Sequence, residues 1–213
     1  MKHGKIQFAT REEGKMAERN TNRPQKGDII KVEPIRDKKA IATIKKLLAG
    51  KPRDLALFVI GINTNLRASD LVRLTVGQVR HCTSPGCEIE IAEKKTGKVR
   101  RITLNKAAVE TVQNLLKDDR LSDYDPLFKS QRGQALTVSS IHRLVKGWCR
   151  QINLKGNYGS HTLRKTFGYH ARQAGVSLPI LVELFNHASQ KQTMTYLGIQ
   201  PEEIKDAYLA LDI

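Results

Sequence analysis

The residues able to do chemistry in this chain are spread along most of its length: Arg67, Lys95, His161, Arg164, His187 and Tyr196. A guanidinium group is planar and permanently charged, so two of them can grip the non-bridging oxygens of a phosphate. His161 stands three residues before Arg164, which puts both on one face of a helix. Its imidazole can accept a proton or bond a phosphate oxygen. A lysine can protonate a leaving oxygen, and a tyrosine hydroxyl can attack phosphorus and store the bond covalently. The set therefore suits the opening of a phosphodiester. Taken singly, each member is weak. A His-x-x-Arg pair arises by chance about half a time in a chain of this composition. Its plain reading is two polar residues on a helix. Likewise an arginine can serve a surface ion pair, His187 a helix end, and Tyr196 simple packing.

The order and sequence context of these residues carry more. Asn65-Leu66-Arg67-Ala68-Ser69-Asp70-Leu71 resembles the first arginine box of the tyrosine recombinases, the phage integrase family. Lys95, in Lys95-Thr96-Gly97-Lys98, matches that family's hairpin lysine, and Ser160 to Phe167 matches its second box. Leu181 to His187 matches the segment with a further histidine, and Thr195-Tyr196-Leu197-Gly198 matches the nucleophile motif. The resemblance covers residues 35 to 213.

It implies a mostly α fold with a small antiparallel β-sheet and site-specific DNA strand exchange with neither metal nor ATP. Tyr196 would form a 3′-phosphotyrosyl bond, and Arg67 and Arg164 would clamp the phosphate. His161 would take the tyrosine proton or bond the phosphate. Lys95, ahead of Lys94 and Lys98, would protonate the leaving 5′-oxygen. His187 would add a phosphate contact, and Asp70 would orient a basic side chain. Lys94, Lys98, Arg100 and Lys165 are the expected DNA contacts. The partners implied are double-stranded DNA and further copies of the chain, a tetramer on paired sites, with no cofactor.

Two departures stand out. Asn186 occupies the position before His187 where the family usually has glycine, so the local backbone is expected to differ. The residues upstream of about 36 are also too few for the family's core-binding domain, which leaves a fragment or a short recombinase with a basic arm. Two rival readings remain: a DNA-binding relative without chemistry, and a type IB topoisomerase, which relaxes DNA without a partner site.

Composition agrees with a polyanionic partner. Thirty-seven Lys and Arg against 21 Asp and Glu give a net charge of +16, and counterion release from nucleic acid is the usual driving term for so basic a surface. An anionic membrane would attract it too, but no apolar run approaches the ~18 residues of a spanning helix. The segment after Met1 is broken by Lys2, Lys5, Arg11 and Lys15 rather than forming an apolar signal core, which reads as cytoplasmic. Three cysteines, an odd count, argue against a disulfide framework. His81, Cys82 and Cys87 sketch half a zinc site, yet no second Cys/His pair stands at a suitable spacing. The bland reading is a surface loop through Ser84, Pro85 and Gly86, and no metal is expected.

The elements that must hold these residues follow from periodicity and punctuation. Residues 1–36 lack sustained periodicity and read as a flexible basic arm, with residues 37–213 as the catalytic domain. Asp37 can cap a helix through Ile41, Ile44, Leu47 and Leu48. Pro52 opens a second helix, apolar nearly all round and hence buried. Asn63 to Asn65 turn the chain into a short helix with Ser69, Asp70, Leu71, Val72 and Leu74. Glu88 to Ala92 and Val99 to Leu104 alternate as a hairpin with a basic tip. Asn105, Thr137, Ser160 and Ser189 can cap later helices, and Leu178 to Phe185 is a further apolar one. Gly198 breaks the helix of Tyr196. Pro201 to Leu211 forms a last amphipathic helix, docked on a neighbour or folded back.

The basic arm generates a test. Deleting residues 1–33 should weaken DNA binding and flatten the dependence of log affinity on log salt, by about 0.9 for each phosphate that the arm neutralises. Titrations at several salt concentrations on both chains measure this. Unchanged affinity and slope would make the arm a passive leftover.

Overall fold

The computed structural model describes residues 32–92, 97, 99–117 and 121–198. Lys94, Lys95, Lys98, most of the arm and the expected helix from Pro201 lie outside the described residues. In chain order the elements are α1 (Lys38–Leu47), α2 (Pro52–Asn63), α3 (Ala68–Leu71), α4 (Val76–Arg80), β1 (Glu88–Ala92), β2 (Val99–Thr103), α5 (Lys106–Leu115), α6 (Val138–Gln151), α7 (Ser160–Gln173), α8 (Leu178–Phe185) and α9 (Gln190–Leu197). The mostly helical architecture with one small antiparallel sheet is as expected.

Local chemistry sets most boundaries. Asp37 accepts from Lys39 N–H at 2.8 Å and caps α1, while Asn105, Thr137 and Ser189 cap α5, α6 and α9 through their side chains. Ser160 is the first residue of α7 rather than its cap: the cap is Gly159, whose N–H donates to the Thr162 hydroxyl at 3.0 Å. Helix α4 was not anticipated. Its signal was the Thr75-x-x-Gln78 capping box, in which the Gln78 side chain accepts from Thr75 N–H at 2.9 Å. In the hairpin, Glu88 pairs with Thr103 and Ala92 with Val99.

The core is built around α2. Ala56, Leu57, Phe58, Val59 and Ile60 are all buried, and Phe58 meets the Trp148 ring edge-on at 5.9 Å. Each fully buried side chain of this size contributes about 1.5–3 kcal/mol. Helices α5 and α7 pack on α2. Gly61 marks the closest approach: a Cβ there would meet Leu163 Cδ1 at 2.6 Å. Residues 32–36, expected in the arm, lie on this body. Ile35 is buried, its N–H donates to the Thr166 hydroxyl at 2.9 Å, and its carbonyl meets His170 Nε2 at 3.0 Å. A truncation ending at Lys31 spares these contacts.

The expectation about cysteine is corrected. Cys82 and Cys87 form a disulfide, and Cys149 is the free, buried one. The turn that returns the chain from α4 to β1 brings the two Cα atoms to 5.3 Å, which an odd total count says nothing about. Burial pushes the Cys149 thiol up to about 12.

Gly168 on α7 decides where α9 sits. A Cβ at this position would collide with Leu197, and would lie 2.6 Å from Phe185 Cζ. Gly168→Ala should therefore push α9 away and lower stability by about 1–3 kcal/mol. The strand cleavage that the resemblance implies should fall with it, because α9 carries the candidate nucleophile Tyr196. Thermal melting together with a cleavage assay checks this, and an unchanged melting temperature would contradict the packing.

Candidate active site

Five sequence-distant candidates, Arg67, His161, Arg164, His187 and Tyr196, gather where α7, α8 and α9 meet the start of α3. Arg67 is the cap residue of α3. Asn65, just before it, has φ 56° and donates from Nδ2 to the Leu184 carbonyl. Asparagine tolerates this left-handed conformation at little cost, so the turn from α2 can close. Asp70 is buried on α3.

His161 and Arg164 follow each other on α7. Arg164 is 3% exposed, and its guanidinium donates to the Phe185 carbonyl at 2.7 Å and lies 4.9 Å over the Phe185 ring. That carbonyl belongs to the last turn of α8, one of the groups a helix end leaves without an internal partner. The aromatic face adds a cation–π contact. Helix α8 then stops in Asn186 at φ 48°, ψ 51°, and the His187 N–H returns to the Val182 carbonyl at 3.1 Å. This is a left-handed cap that glycine or asparagine can supply.

Phe185 is the hub of the ring cluster. The His187 and Tyr196 rings each lie 5.2 Å from it, and 5.2 Å from each other with their planes at 74°. His187 Nδ1 is 2.9 Å from the Thr193 hydroxyl. Lys165, expected on DNA, holds its Nζ 5.1 Å over the Tyr196 ring. Arg100, also expected on DNA, is half-buried and donates to the Leu184 carbonyl at 2.8 Å. Thr193 and the structural use of Arg100 escaped sequence reading. Thr193 sits three residues before Tyr196, but a threonine in a helix carries no signal of its own.

The electrostatics suit a tyrosine that must lose a proton. The Tyr196 hydroxyl is buried and has no well-formed hydrogen-bond partner among the described residues. Burial pushes it above its ordinary range, while the positive charges of Arg164 and Arg67 pull it back. At neutral pH it is a phenol and needs an acceptor. His161 is open to solvent on one side and crowded on the other. Desolvation holds it below its ordinary value, and Arg164, Lys165, Arg67 and His142 push the same way. It is therefore neutral at pH 7 and able to take a proton. The arrangement concentrates positive charge around the Tyr196 hydroxyl, which would suit attack on a phosphate diester.

The comparisons with known proteins agree with this geometry. A family model described as the phage integrase family matches residues 37–203. A probable integrase/recombinase, YoeC of Bacillus subtilis, is 34% identical over 179 residues, covering 83% of this chain and 95% of that protein. The tyrosine recombinase XerC of Caldanaerobacter subterraneus is 28% identical over 164 residues, covering 74% of this chain and 44% of that protein. The chain thus spans nearly all of the first relative but under half of the second. Among solved structures, XerA recombinase superposes with a TM-score of 0.69 at 18% identity, over 88% of this chain and 66% of that one. XerH bound to its palindromic difH substrate, in a post-cleavage complex, gives 0.67 at 21%, over 86% of this chain and 53% of that one.

The His161 environment fixes the sign of a pH dependence. A ring whose midpoint lies below its ordinary value of about 6.5 stays neutral above that pH and loses its acceptor as pH falls through the lowered midpoint. Single-turnover cleavage should hold from pH 8 to about 6.5, then decline, with half-rate below 6.5. His161→Asn should slow cleavage by roughly 10²-fold and abolish that acid limb. A half-rate pH above 6.5 would contradict the assignment.

Proposed function

The chain belongs to the phage integrase family, and on that premise we propose that it is a site-specific DNA recombinase acting through Tyr196. The Tyr196 oxygen attacks the scissile phosphorus, its proton passes to His161, and a 3′-phosphotyrosyl bond replaces the bond to the 5′-oxygen. Arg67 and Arg164 hold the non-bridging oxygens, where negative charge grows in the transition state. His187 adds a phosphate contact, and Lys95 protonates the departing 5′-oxygen. Covalent storage keeps the bond energy, so a 5′-hydroxyl from a partner strand reverses the step without ATP. Residues 32–213 form the catalytic domain, and strand exchange takes place in a tetramer on paired double-stranded sites. Lys94 and Lys98 add contacts to the DNA backbone.

The observation that carries this reading is the buried Tyr196 hydroxyl beside the charges of Arg164 and Arg67. A phenol placed there is costly for a protein that uses it only for packing. The same positive charge is what a phosphodiester transition state requires, and it is supplied without a metal ion.

A nicked suicide duplex carrying the recombination site, incubated in excess EDTA, tests the reading. The wild-type chain should form a covalent adduct that denaturing gels resolve, and Tyr196→Phe should bind equally well and form none. Arg67→Ala and Arg164→Ala should lose about 10²–10³-fold in cleavage, far more than in binding. An adduct in Tyr196→Phe would move the nucleophile, for example to Tyr169. Adduct formation that stops with EDTA would sink the metal-free chemistry. Two-site exchange, rather than relaxation of a single supercoiled plasmid, separates a recombinase from a topoisomerase.

A further inference from the structure

The His187 backbone is well fixed, but its ring orientation is not fixed by the backbone. Its N–H is bonded to Val182, and Asn186 sets the turn before it. The ring packs between Phe185, at 5.2 Å and 34°, and Tyr196, at 5.2 Å and 74°. Those apolar faces define the ring plane. They do not separate the ring from the same ring rotated by 180°, which exchanges Nδ1 for a carbon while leaving the packed outline almost unchanged. A contact that tells the two apart is the hydroxyl of Thr193, 2.9 Å from Nδ1.

Thr193 is wholly buried and lies on α9 three residues before Tyr196. We propose that Thr193 is a positioning residue for strand cleavage, holding His187 so that Nε2 is the nitrogen presented to the scissile phosphate. This rests on the reading of Tyr196 as nucleophile and His187 as a phosphate contact. A hydroxyl bonded to one ring nitrogen selects the rotation of an imidazole, because the carbon that the flipped ring would place there cannot replace that bond. Because the bond reaches from His187 to α9, it also couples the two groups. A displacement of α9 that misplaces the nucleophile breaks the bond that orients the histidine, so the phosphate contact and the attacking oxygen come into register together.

Thr193→Val keeps the shape of the side chain and removes the hydroxyl, whereas Thr193→Ser keeps the hydroxyl. With the nicked duplex at saturating protein, Thr193→Val should leave the affinity unchanged and slow single-turnover cleavage about 10–100-fold, as loss of an orienting partner does elsewhere. Thr193→Ser should recover most of the rate. In a His187→Ala background, Thr193→Val should add no further loss, because it acts through the missing ring. Long-range nitrogen–proton NMR of the DNA-free chain should show a His187 Nδ1 signal displaced by hydrogen bonding in the wild type and in Thr193→Ser, and one moved toward that of a free imidazole nitrogen in Thr193→Val.

A wild-type rate in Thr193→Val would overturn the proposal, as would a full further loss in the His187→Ala background or failure of serine to restore the rate. So would an unchanged His187 Nδ1 signal in all three chains. A wild-type chain that forms no Tyr196 adduct would instead overturn the functional reading, and the NMR comparison would still decide the role of Thr193.

Discussion

The Arg164 guanidinium is almost fully buried and cannot shed its charge. Burying an ion without partners is among the costliest things a fold can do. Here the negative end of α8 meets it: the Phe185 carbonyl accepts its N–H, and the Phe185 ring lies beneath it. This fastening dictates where α8 ends. The end of α8 places the left-handed Asn186, Asn186 aims the chain at His187, and the short run that follows fixes the start of α9. The candidate nucleophile is thus located by a chain of constraints that begins at the candidate phosphate clamp.

The last turn of α8 collects more than Arg164. Asn65, two residues before Arg67, and Arg100, on β2, both donate to the Leu184 carbonyl. Three segments far apart in sequence therefore converge on two adjacent carbonyls that the helix itself cannot satisfy. These bonds are partly or wholly buried, where breaking any one would leave an uncompensated polar group. The first arginine box, strand β2 near the hairpin turn and the second box are thereby held to one helix end. A site assembled from such distant pieces keeps its geometry only if they share a common anchor, and α8 supplies it.

The same packing brings a tension. The Tyr196 hydroxyl is buried without a well-formed partner among the described residues, and Phe185, His187 and Lys165 crowd its ring. Such a hydroxyl lowers the stability of the free protein. It also removes water from the attacking oxygen and places it where arginine charge favours its ionised form. Gly168 permits this close seating of α9, since any side chain at that position would meet Leu197 and Phe185. What this close packing gives is a candidate nucleophile held near its candidate clamp.

Much was legible in the sequence because it is local. Caps at Asp37, Asn105, Thr137 and Ser189, the alternation of β1 and β2, and the breaks at Asn65 and Gly198 follow from interactions spanning a few residues. The spaced boxes around Arg67, Arg164, His187 and Tyr196 identified the family because side-chain types at ordered positions are a property of the chain itself. Other features depended on who meets whom across the fold. The bond from Arg100 to the Leu184 carbonyl exists only once β2 is placed beside α8, and Thr193 looks like any helical threonine until His187 is laid against it. The left-handed turn at Asn186 shows only in its backbone angles. The Cys82–Cys87 bond depends on a turn geometry that a count of cysteines does not contain. Local energetics wrote the elements and the candidate residues into the sequence. Which buried polar group satisfies which was decided only by tertiary structure, because partners such as Asn65 and Leu184 lie 119 residues apart and no short-range pattern encodes them.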